Sequence, residues 1–365
     1  MSERHAARRQ RLLKSLRATD AEALLVTNET NVRYLTGFTG DSTYLLISKK
    51  RTLLISDSRY ETQIDEECPG LEATIRTPKT RMIDAVVESI RSADCSRIGF
   101  ESAHLSVAAW ENYRDAGGTI EWISTKNLVE NLRSIKDAGE IAEIREAVRM
   151  AERALQVVTA GLVPDLTEIE AARELEQALW RFGAPGLSFP AIVAAGDRAA
   201  LPHYRPGRRP IGDGSMLLID WGARGIGGYV SDLTRTFALG KISAKLRKIH
   251  ETVNAARQAA IDAIRPGAAA RDIDALARSV IERSGHGKHF GHGLGHGIGL
   301  EVHEAIRLSA IAEETLKAGM VVTVEPGIYL PGWGGVRIED DVLVTRDGCE
   351  VLSSLPRELE AVALA

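Results

Sequence analysis

Two pairs of acidic residues lie at mirrored positions around two glycine-rich turns, and this arrangement restricts the fold more than any other feature of the chain. Asp220 follows the apolar run MLLI, and Asp232 comes twelve residues later, beyond the run GIGG. A hairpin centred on Ile226 would place the two carboxylates opposite each other, with Cβ atoms about 5 Å apart. Two bare carboxylates at that distance repel by about 3 kcal/mol at an effective dielectric of 20, so such a hairpin requires a cation or a shared proton.

The second pair repeats this pattern further along the chain. Glu325 ends the apolar run MVVTV, and Glu339 comes fourteen residues later, with PGWGG between them. A hairpin centred on Gly332 would again bring the two acids face to face. The two hairpins are therefore predicted to present four carboxylates to one site, unless a bulge shifts either register.

Histidine and glycine are concentrated between the two acidic pairs. Five of the nine histidines lie within eighteen residues, at positions 286, 289, 292, 296 and 303, interleaved with glycines. Glycine lets the backbone approach a ligand closely, and imidazole is the commonest neutral metal ligand. Taken alone, this run is also typical of a flexible loop or a loose metal-binding tract, and any one of the acids is as easily a turn residue.

Together these groups form a hard, oxygen-rich donor set. Such a set favours manganese, with cobalt or zinc as alternatives, over copper or a soft thiolate-bound metal. Four carboxylates balance the charge of two divalent ions, and two ions about 3.5–4 Å apart can share and activate a water molecule. The pattern therefore predicts a site for two divalent metal ions.

Composition excludes several other classes of protein. The net charge is only −4, from 46 basic and 50 acidic side chains, so no strong field would attract nucleic acid or an anionic membrane. Three cysteines without a CxxC motif argue against a disulfide framework and a thiolate zinc site. The basic N-terminal segment lacks the apolar core of a secretory signal, and no run of residues is long and apolar enough for a membrane helix. We therefore expect a cytoplasmic protein.

The first part of the chain alternates short strands and helices. Apolar runs predict strands at 23–26, 44–47, 52–55 and 98–100, and helical spacing predicts a helix over 82–91. This alternation is typical of a layered α/β domain.

From about residue 135 the pattern changes to longer helices. Apolar residues at helical spacing predict helices over 141–155, 246–264 and 271–283, with strands at 216–219 and 320–324. Long helices beside hairpin-connected strands indicate an α+β domain. We therefore predict an N-terminal domain over 1–130 and a second domain over 135–365.

Four segments resemble the motifs of the pita-bread metallopeptidase family (M24), which includes prolidase, aminopeptidase P and methionine aminopeptidase. In chain order they are IDWGARGIGGYVSDLTRTF, GHGLGHGIGLEVHE, VEPGIYL and GGVRIEDDVLVT. The segment VTNETNVRYLTGFTG is similar to the N-terminal domain shared by prolidase, aminopeptidase P and creatinase. The resemblance implies a pita-bread catalytic domain preceded by a smaller creatinase-type α/β domain, in the proline-specific branch of the family.

The resemblance also implies the metal ligands and the catalytic residues. The five positions that match the ligands of two divalent ions are Asp220, Asp232, His296, Glu325 and Glu339. His203 and His303 match catalytic histidines near the scissile bond, and Glu325 would also transfer a proton.

Four further positions match residues that support substrate or ligands. His292 matches a histidine that shapes the proline pocket, and Arg307 occupies the place where some microbial prolidases carry an arginine that clasps the dipeptide carboxylate. Tyr329 and Arg337 match residues behind the metals that orient the carboxylates.

The implied activity is metal-dependent hydrolysis of the Xaa-Pro bond in dipeptides or short peptides. Arg307 favours a dipeptidase over an aminopeptidase, because an arginine fork suits a free carboxylate. The resemblance further implies a homodimer. Two alternatives stay open: a hydrolase of a non-peptide amide on the same scaffold, and a pita-bread protein that binds a partner without catalysis. The second alternative usually goes with lost ligand positions, whereas all five are filled here.

Overall fold

The structure, a computed structural model, describes residues 3–362 and divides into two compact units between Arg133 and Ser134. The predicted domain limits, 1–130 and 135–365, are not tested by this division and stay a prediction. Within residues 3–362, none of the helices combines the length and the apolar character needed to cross a bilayer.

The N-terminal unit is a six-stranded sheet with helices packed on it. Its strands follow the order β4-β3-β2-β1-β5-β6, in which β2 runs antiparallel to both of its neighbours and the other pairings are parallel. The predicted strands and the predicted helix of this part are all confirmed. The bounds are α1 Glu3–Leu16, β1 Ala23–Val26, α2 Glu29–Thr36, β2 Tyr44–Ser48, β3 Thr52–Asp57, α3 Glu61–Glu67, β4 Glu72–Arg76, α4 Met82–Ser92, β5 Arg97–Glu101, α5 Val107–Gly117, β6 Glu121–Thr125 and α6 Glu130–Arg133.

As far as the structure describes it, the C-terminal unit combines four long helices with mostly antiparallel strands. The helices are α7 Ala138–Ala160, α8 Glu168–Arg181, α9 Ala244–Ile261 and α10 Ala270–Arg283. The strands are β7 Gly186–Leu187, β8 Ile192–Ala195, β9 Met216–Trp221, β10 Ala223–Arg224, β11 Leu233–Leu239, β12 Gly295–Gly297, β13 Glu304–Leu308, β14 Val321–Val324, β15 Gly327–Leu330, β16 Gly334–Arg337, β17 Asp340–Val344, β18 Cys349–Val351 and β19 Ala361–Val362.

Local sequence signals explain where the long helices begin and end. Helix α7 begins at a capping box, in which the Asp137 side chain accepts from the Glu140 N–H and the Glu140 side chain accepts from the Asp137 N–H. Helix α10 ends just before Gly285, whose φ of 84° is the left-handed conformation that glycine adopts freely. Helix α9 ends at Ile261, three residues before the predicted end.

The first acidic hairpin has a different register from the predicted one. Strand β9 pairs with β11 so that Asp220 lies opposite Thr234, and Asp232 is therefore a diagonal neighbour of Asp220. The turn is centred on Gly227, because the Gly225 N–H donates to the Tyr229 carbonyl at 2.8 Å. A shift by two residues keeps both carboxylates on one face of the sheet.

The second acidic hairpin has the predicted register. Strand β15 pairs with β16 around Gly332, and β14 pairs with β17 in the same register, with Val324 opposite Asp340. Glu325 and Glu339 lie between these two ladders and therefore face each other. An isolated bridge between Thr234 and Glu339 then joins the two hairpins, and this bridge positions the candidate site.

Helix α9 buries a histidine whose titration is predicted to affect stability. Burial, together with the positive charge of Arg235, lowers the pKa of His250 to about 4, against about 6.5 in an unfolded chain. Between these values the unfolded chain binds a proton that the folded chain does not. The free energy of unfolding therefore falls as the pH falls, by about 2 kcal/mol from pH 7 to pH 5 for this group.

Urea unfolding of the wild type and of His250→Gln at both pH values measures this contribution. We expect the wild type to lose about 2 kcal/mol more than the variant on acidification. Equal losses in the two proteins would contradict the assignment.

Candidate metal centre

Five strands or strand ends bring the candidate ligands together. Asp220 lies on β9, Asp232 directly precedes β11, and His296 lies on β12. Glu325 follows β14, and Glu339 directly precedes β17. Exposed fractions are 8% for Asp220, 5% for Asp232, 7% for His296 and 1% for Glu339, so the site is an interior one.

The ligand atoms converge within a few ångströms. One donor atom from each of Asp232, His296 and Glu339 lies within 4.8 Å of the others. His296 Nε2 lies 3.6 Å from Asp232 Oδ2 and 3.3 Å from Glu325 Oε1. The His296 Nδ1 lies 3.2 Å from the Gly297 carbonyl, which orients the ring with Nε2 toward the carboxylates.

Buried oxygen atoms without hydrogen-bond partners test whether a cation fits here. Within residues 3–362, Asp220 Oδ1 and Glu339 Oε1 are buried and accept no hydrogen bond. A buried carboxylate oxygen is costly without a donor or a cation. These hard oxygen donors and the adjacent imidazole fit divalent ions such as Mn²⁺.

The charges of the site point the same way. Burial, followed by repulsion from neighbouring carboxylates, raises the pKa of Asp232 and of Glu339 well above the usual range. Burial raises the pKa of Glu325 to about 8 and lowers the pKa of His296 to about 3. Four carboxyl groups packed this closely disfavour the ionised state on their own, and a bound cation would reverse that preference.

Arg337 connects the carboxylates to the groups behind them. Its Nη2 donates to Asp220 Oδ2 at 2.5 Å, its Nε to Thr234 Oγ1 at 3.0 Å, and its Nη1 to the Tyr329 hydroxyl at 2.8 Å. Thr234 Oγ1 in turn donates to Glu339 Oε2 at 2.6 Å. One guanidinium thus fixes carboxylates from both hairpins.

A cavity of about 730 Å³ opens onto these carboxylates. The remaining predicted residues His203, His292, His303 and Arg307 all line it. The His303 ring lies 4.2 Å from the His296 ring, centroid to centroid, in an edge-to-face arrangement.

His292 belongs to the hydrogen-bonded group behind the carboxylates. Its Nε2 lies 2.9 Å from the Tyr329 hydroxyl, which joins the imidazole to Arg337. By contrast, His286 and His289 are not among the residues that line the cavity. Their rings lie beside each other, with centroids 6.0 Å apart.

Sequence reasoning missed two threonines of this site. Thr234 supports Glu339, while Thr323 Oγ1 accepts from the His296 N–H at 3.0 Å and lies 3.3 Å from Glu325 Oε1. Each lies two residues from an acid on a strand or strand end, at 232 and 325, and therefore shares its face. Alternation along the strands was the signal that could have identified both.

Comparisons with known proteins place this geometry in context. A model of metallopeptidase family M24 matches residues 142–346, and a model of the creatinase/prolidase N-terminal domain matches residues 8–135. The chain is similar to Xaa-Pro dipeptidase of Pyrococcus furiosus, with 34% identity over 354 residues, which cover 96% of this chain and 99% of the relative.

Two solved structures are similar over nearly their whole length. Xaa-Pro dipeptidase from Bacillus anthracis has a TM-score of 0.93 and 39% identity, covering 98% of this chain and 99% of that one. X-Pro aminopeptidase from Thermotoga maritima has a TM-score of 0.88 and 35% identity, covering 96% of this chain and 100% of that one.

Removal of one central carboxylate tests the metal centre directly. We expect the wild type to retain about two Mn²⁺ ions per chain after gel filtration and Asp232→Ala to retain at most about one, because a buried carboxylate that would hold the metal is lost. Elemental analysis measures the ratio, and the exposed Glu313→Ala is the matched control. An unchanged ratio in a folded Asp232→Ala protein would contradict the assignment.

Proposed function

The chain belongs to metallopeptidase family M24, and from this premise we propose that it hydrolyses the Xaa-Pro bond at the N-terminus of dipeptides or short peptides. The predicted α+β fold, a creatinase-type domain followed by a pita-bread catalytic domain, is confirmed by both family models. The observation that carries the proposal is the single cavity that joins the buried carboxylates to His203, His303 and Arg307. Relatives and structural neighbours named as Xaa-Pro peptidases support it.

We assign Asp220, Asp232, His296, Glu325 and Glu339 as ligands of two divalent ions, with manganese favoured over cobalt or zinc. Bound ions would supply a water of lowered pKa and a Lewis acid for the substrate carbonyl. The chain's own residues would perform the remaining tasks.

Glu325 is the residue proposed to move the proton. Its carboxylate would accept the proton of the attacking water and deliver it to the prolyl nitrogen as the peptide bond breaks. The transfer is needed because the nitrogen of an Xaa-Pro bond carries no hydrogen and must leave as an amine. Thr323, 3.3 Å from Glu325 Oε1, would hold the carboxylate in place.

Two histidines would stabilise the charge that develops on the carbonyl oxygen. His203 and His303 both line the cavity, and burial lowers the pKa of His303, which favours the neutral imidazole. A neutral imidazole still presents one N–H, and a donor directed at a developing oxyanion contributes more to the transition state than to the bound substrate.

Recognition of the substrate would fall to His292 and Arg307. The His292 ring, held edge-to-face against Phe290 with centroids 5.0 Å apart, would form one wall of the proline pocket. Arg307 Nη1 donates to the carbonyls of Glu304 and Ile306 at 2.6 and 3.1 Å, which anchors the guanidinium at the cavity wall. Its remaining donors would bind the free carboxylate of a dipeptide.

We also propose a homodimer located in the cytoplasm. A non-peptide amide remains the alternative substrate on the same site, because the proposed chemistry is hydrolysis of a carbonyl–nitrogen bond and does not itself require proline. Binding without catalysis is the less favoured alternative, since no ligand position is lost.

Hydrolysis of Ala-Pro and Ala-Pro-Ala by the metal-stripped protein, before and after addition of manganese, tests the activity. We expect cleavage only with manganese, and a loss of at least about 10³-fold in Asp232→Ala. Absence of cleavage by a folded, two-metal protein would overturn the proline-peptidase proposal and leave the non-peptide amide.

Arg307→Met tests the dipeptide preference. We expect kcat/KM for Ala-Pro to fall about 10- to 100-fold, because a charge-assisted bond to the carboxylate is lost, while kcat/KM for Ala-Pro amide changes little. The exposed Arg208→Met is the matched control. Equal losses of kcat/KM on both substrates would show that Arg307 does not bind the free carboxylate.

A further inference from the structure

A buried ion pair lies directly behind the loop that carries His303. Lys136 Nζ is 2.8 Å from Glu304 Oε2, and the two side chains are 1% and 3% exposed. Burying two charges costs much of what their attraction returns, so such a pair adds little net stability. The positions of Lys136 and Glu304 in the chain indicate a role other than stabilisation.

Glu304 closes the loop that connects β12 to β13. Its Oε1 accepts from the Leu300 N–H at 3.0 Å, so the carboxylate joins both ends of a five-residue turn whose fourth residue is His303. A Cβ added at Gly299 would lie only 2.6 Å from Glu304 Oε1, and glycine there is what allows the carboxylate so close to the backbone.

Lys136 is itself held by the backbone around it. Its N–H donates to the Gly319 carbonyl at 2.8 Å, immediately before the capping box that begins α7. Gly319 adopts a φ of 89°, and a Cβ there would lie 3.0 Å from the Lys136 carbonyl. The ammonium group therefore projects from a fixed point onto the carboxylate.

Neither charged side chain is among the described residues that line the cavity. His303, which directly precedes Glu304 in the chain, does line it, with its ring edge-to-face on His296. The register between β12 and β13 shifts between His296 and Gly297, so the ladder alone does not fix the loop. The ion pair on Glu304 lies at the point where this irregular ladder resumes.

We propose that the Lys136–Glu304 ion pair is a positioning device for His303, which holds the imidazole where the oxyanion develops. The inference rests on the proposed function for its effect on catalysis, but not for its effect on the imidazole. Lys136 and Glu304 act through His303 and touch neither substrate nor metal.

The double variant Lys136→Met/Glu304→Gln tests the proposal, because it removes both charges of this ion pair together. With manganese and Ala-Pro we expect kcat to fall about tenfold or more, within the range of a lost oxyanion donor, while KM and the manganese affinity change less than about twofold. In a His303→Ala background the same double variant should cause no further loss of kcat. A loss of equal size in that background would overturn the proposal.

A second measurement does not depend on activity. We expect the imidazole NMR signals of His303 in the zinc-loaded protein to shift or broaden in the double variant, while those of His250 stay unchanged. Unchanged His303 signals would overturn the proposal even if the wild type cleaves no proline peptide; such a wild type would refute only the proposed function.

Two further variants complete the design. Arg145→Met/Glu350→Gln removes an ion pair of 2.6 Å in the same unit, away from the cavity, and should leave kcat and the His303 signals unchanged. Glu304→Gln alone keeps an acceptor for the Leu300 N–H and serves if the double variant does not fold. We expect it to show the same selective fall in kcat, and a wild-type kcat with wild-type His303 signals would overturn the proposal.

Discussion

Repulsion among buried carboxylates is the constraint around which the C-terminal unit is organised. Asp220, Asp232, Glu325 and Glu339 come from two hairpins, and burial followed by repulsion from neighbouring carboxylates raises the pKa of Asp232 and of Glu339. Only a rigid frame keeps such groups together without their ordinary solvation. The Thr234–Glu339 bridge and the Arg337 guanidinium supply that frame. The folding of the sheets and the proposed binding of cations would therefore depend on the same contacts.

Both acidic pairs could be identified from the sequence, but the strand register was predicted correctly for only one of the two hairpins. Around Gly332 the symmetry of the turn was sufficient, because β14–β17 and β15–β16 continue in one register. Around Gly227 three glycines offered several possible turn centres, and the hydrogen bond from Gly225 to Tyr229 selected one a residue beyond the predicted centre. The prediction that Asp220 and Asp232 share one face was unaffected, because side chains alternate along a strand and a two-residue shift leaves a carboxylate on its original face.

Contacts between distant segments lay beyond sequence reasoning. Arg337 and Asp220 are separated by 117 residues, and Lys136 and Glu304 by 168, and no local periodicity links such positions. A motif can indicate that a residue matters, but the partner that orients it is determined only when the sheets assemble. The roles of Thr234 and Thr323 show the same limit, because threonine on a strand is ordinary until the acid beside it is known.

If the site holds the proposed metal ions, the charges that remain around the cavity would determine which substrate it selects. Two divalent ions would neutralise the four carboxylates, and Arg337 is already engaged with Asp220 and Tyr329. Arg307 lines the same cavity, fixed there by two backbone carbonyls. Under the proposed function, such a cavity, with Arg307 as a fixed cation on its wall, would favour a substrate whose free carboxylate lies a short distance from the scissile bond. A dipeptide has that geometry, whereas each added residue moves the carboxylate further from Arg307.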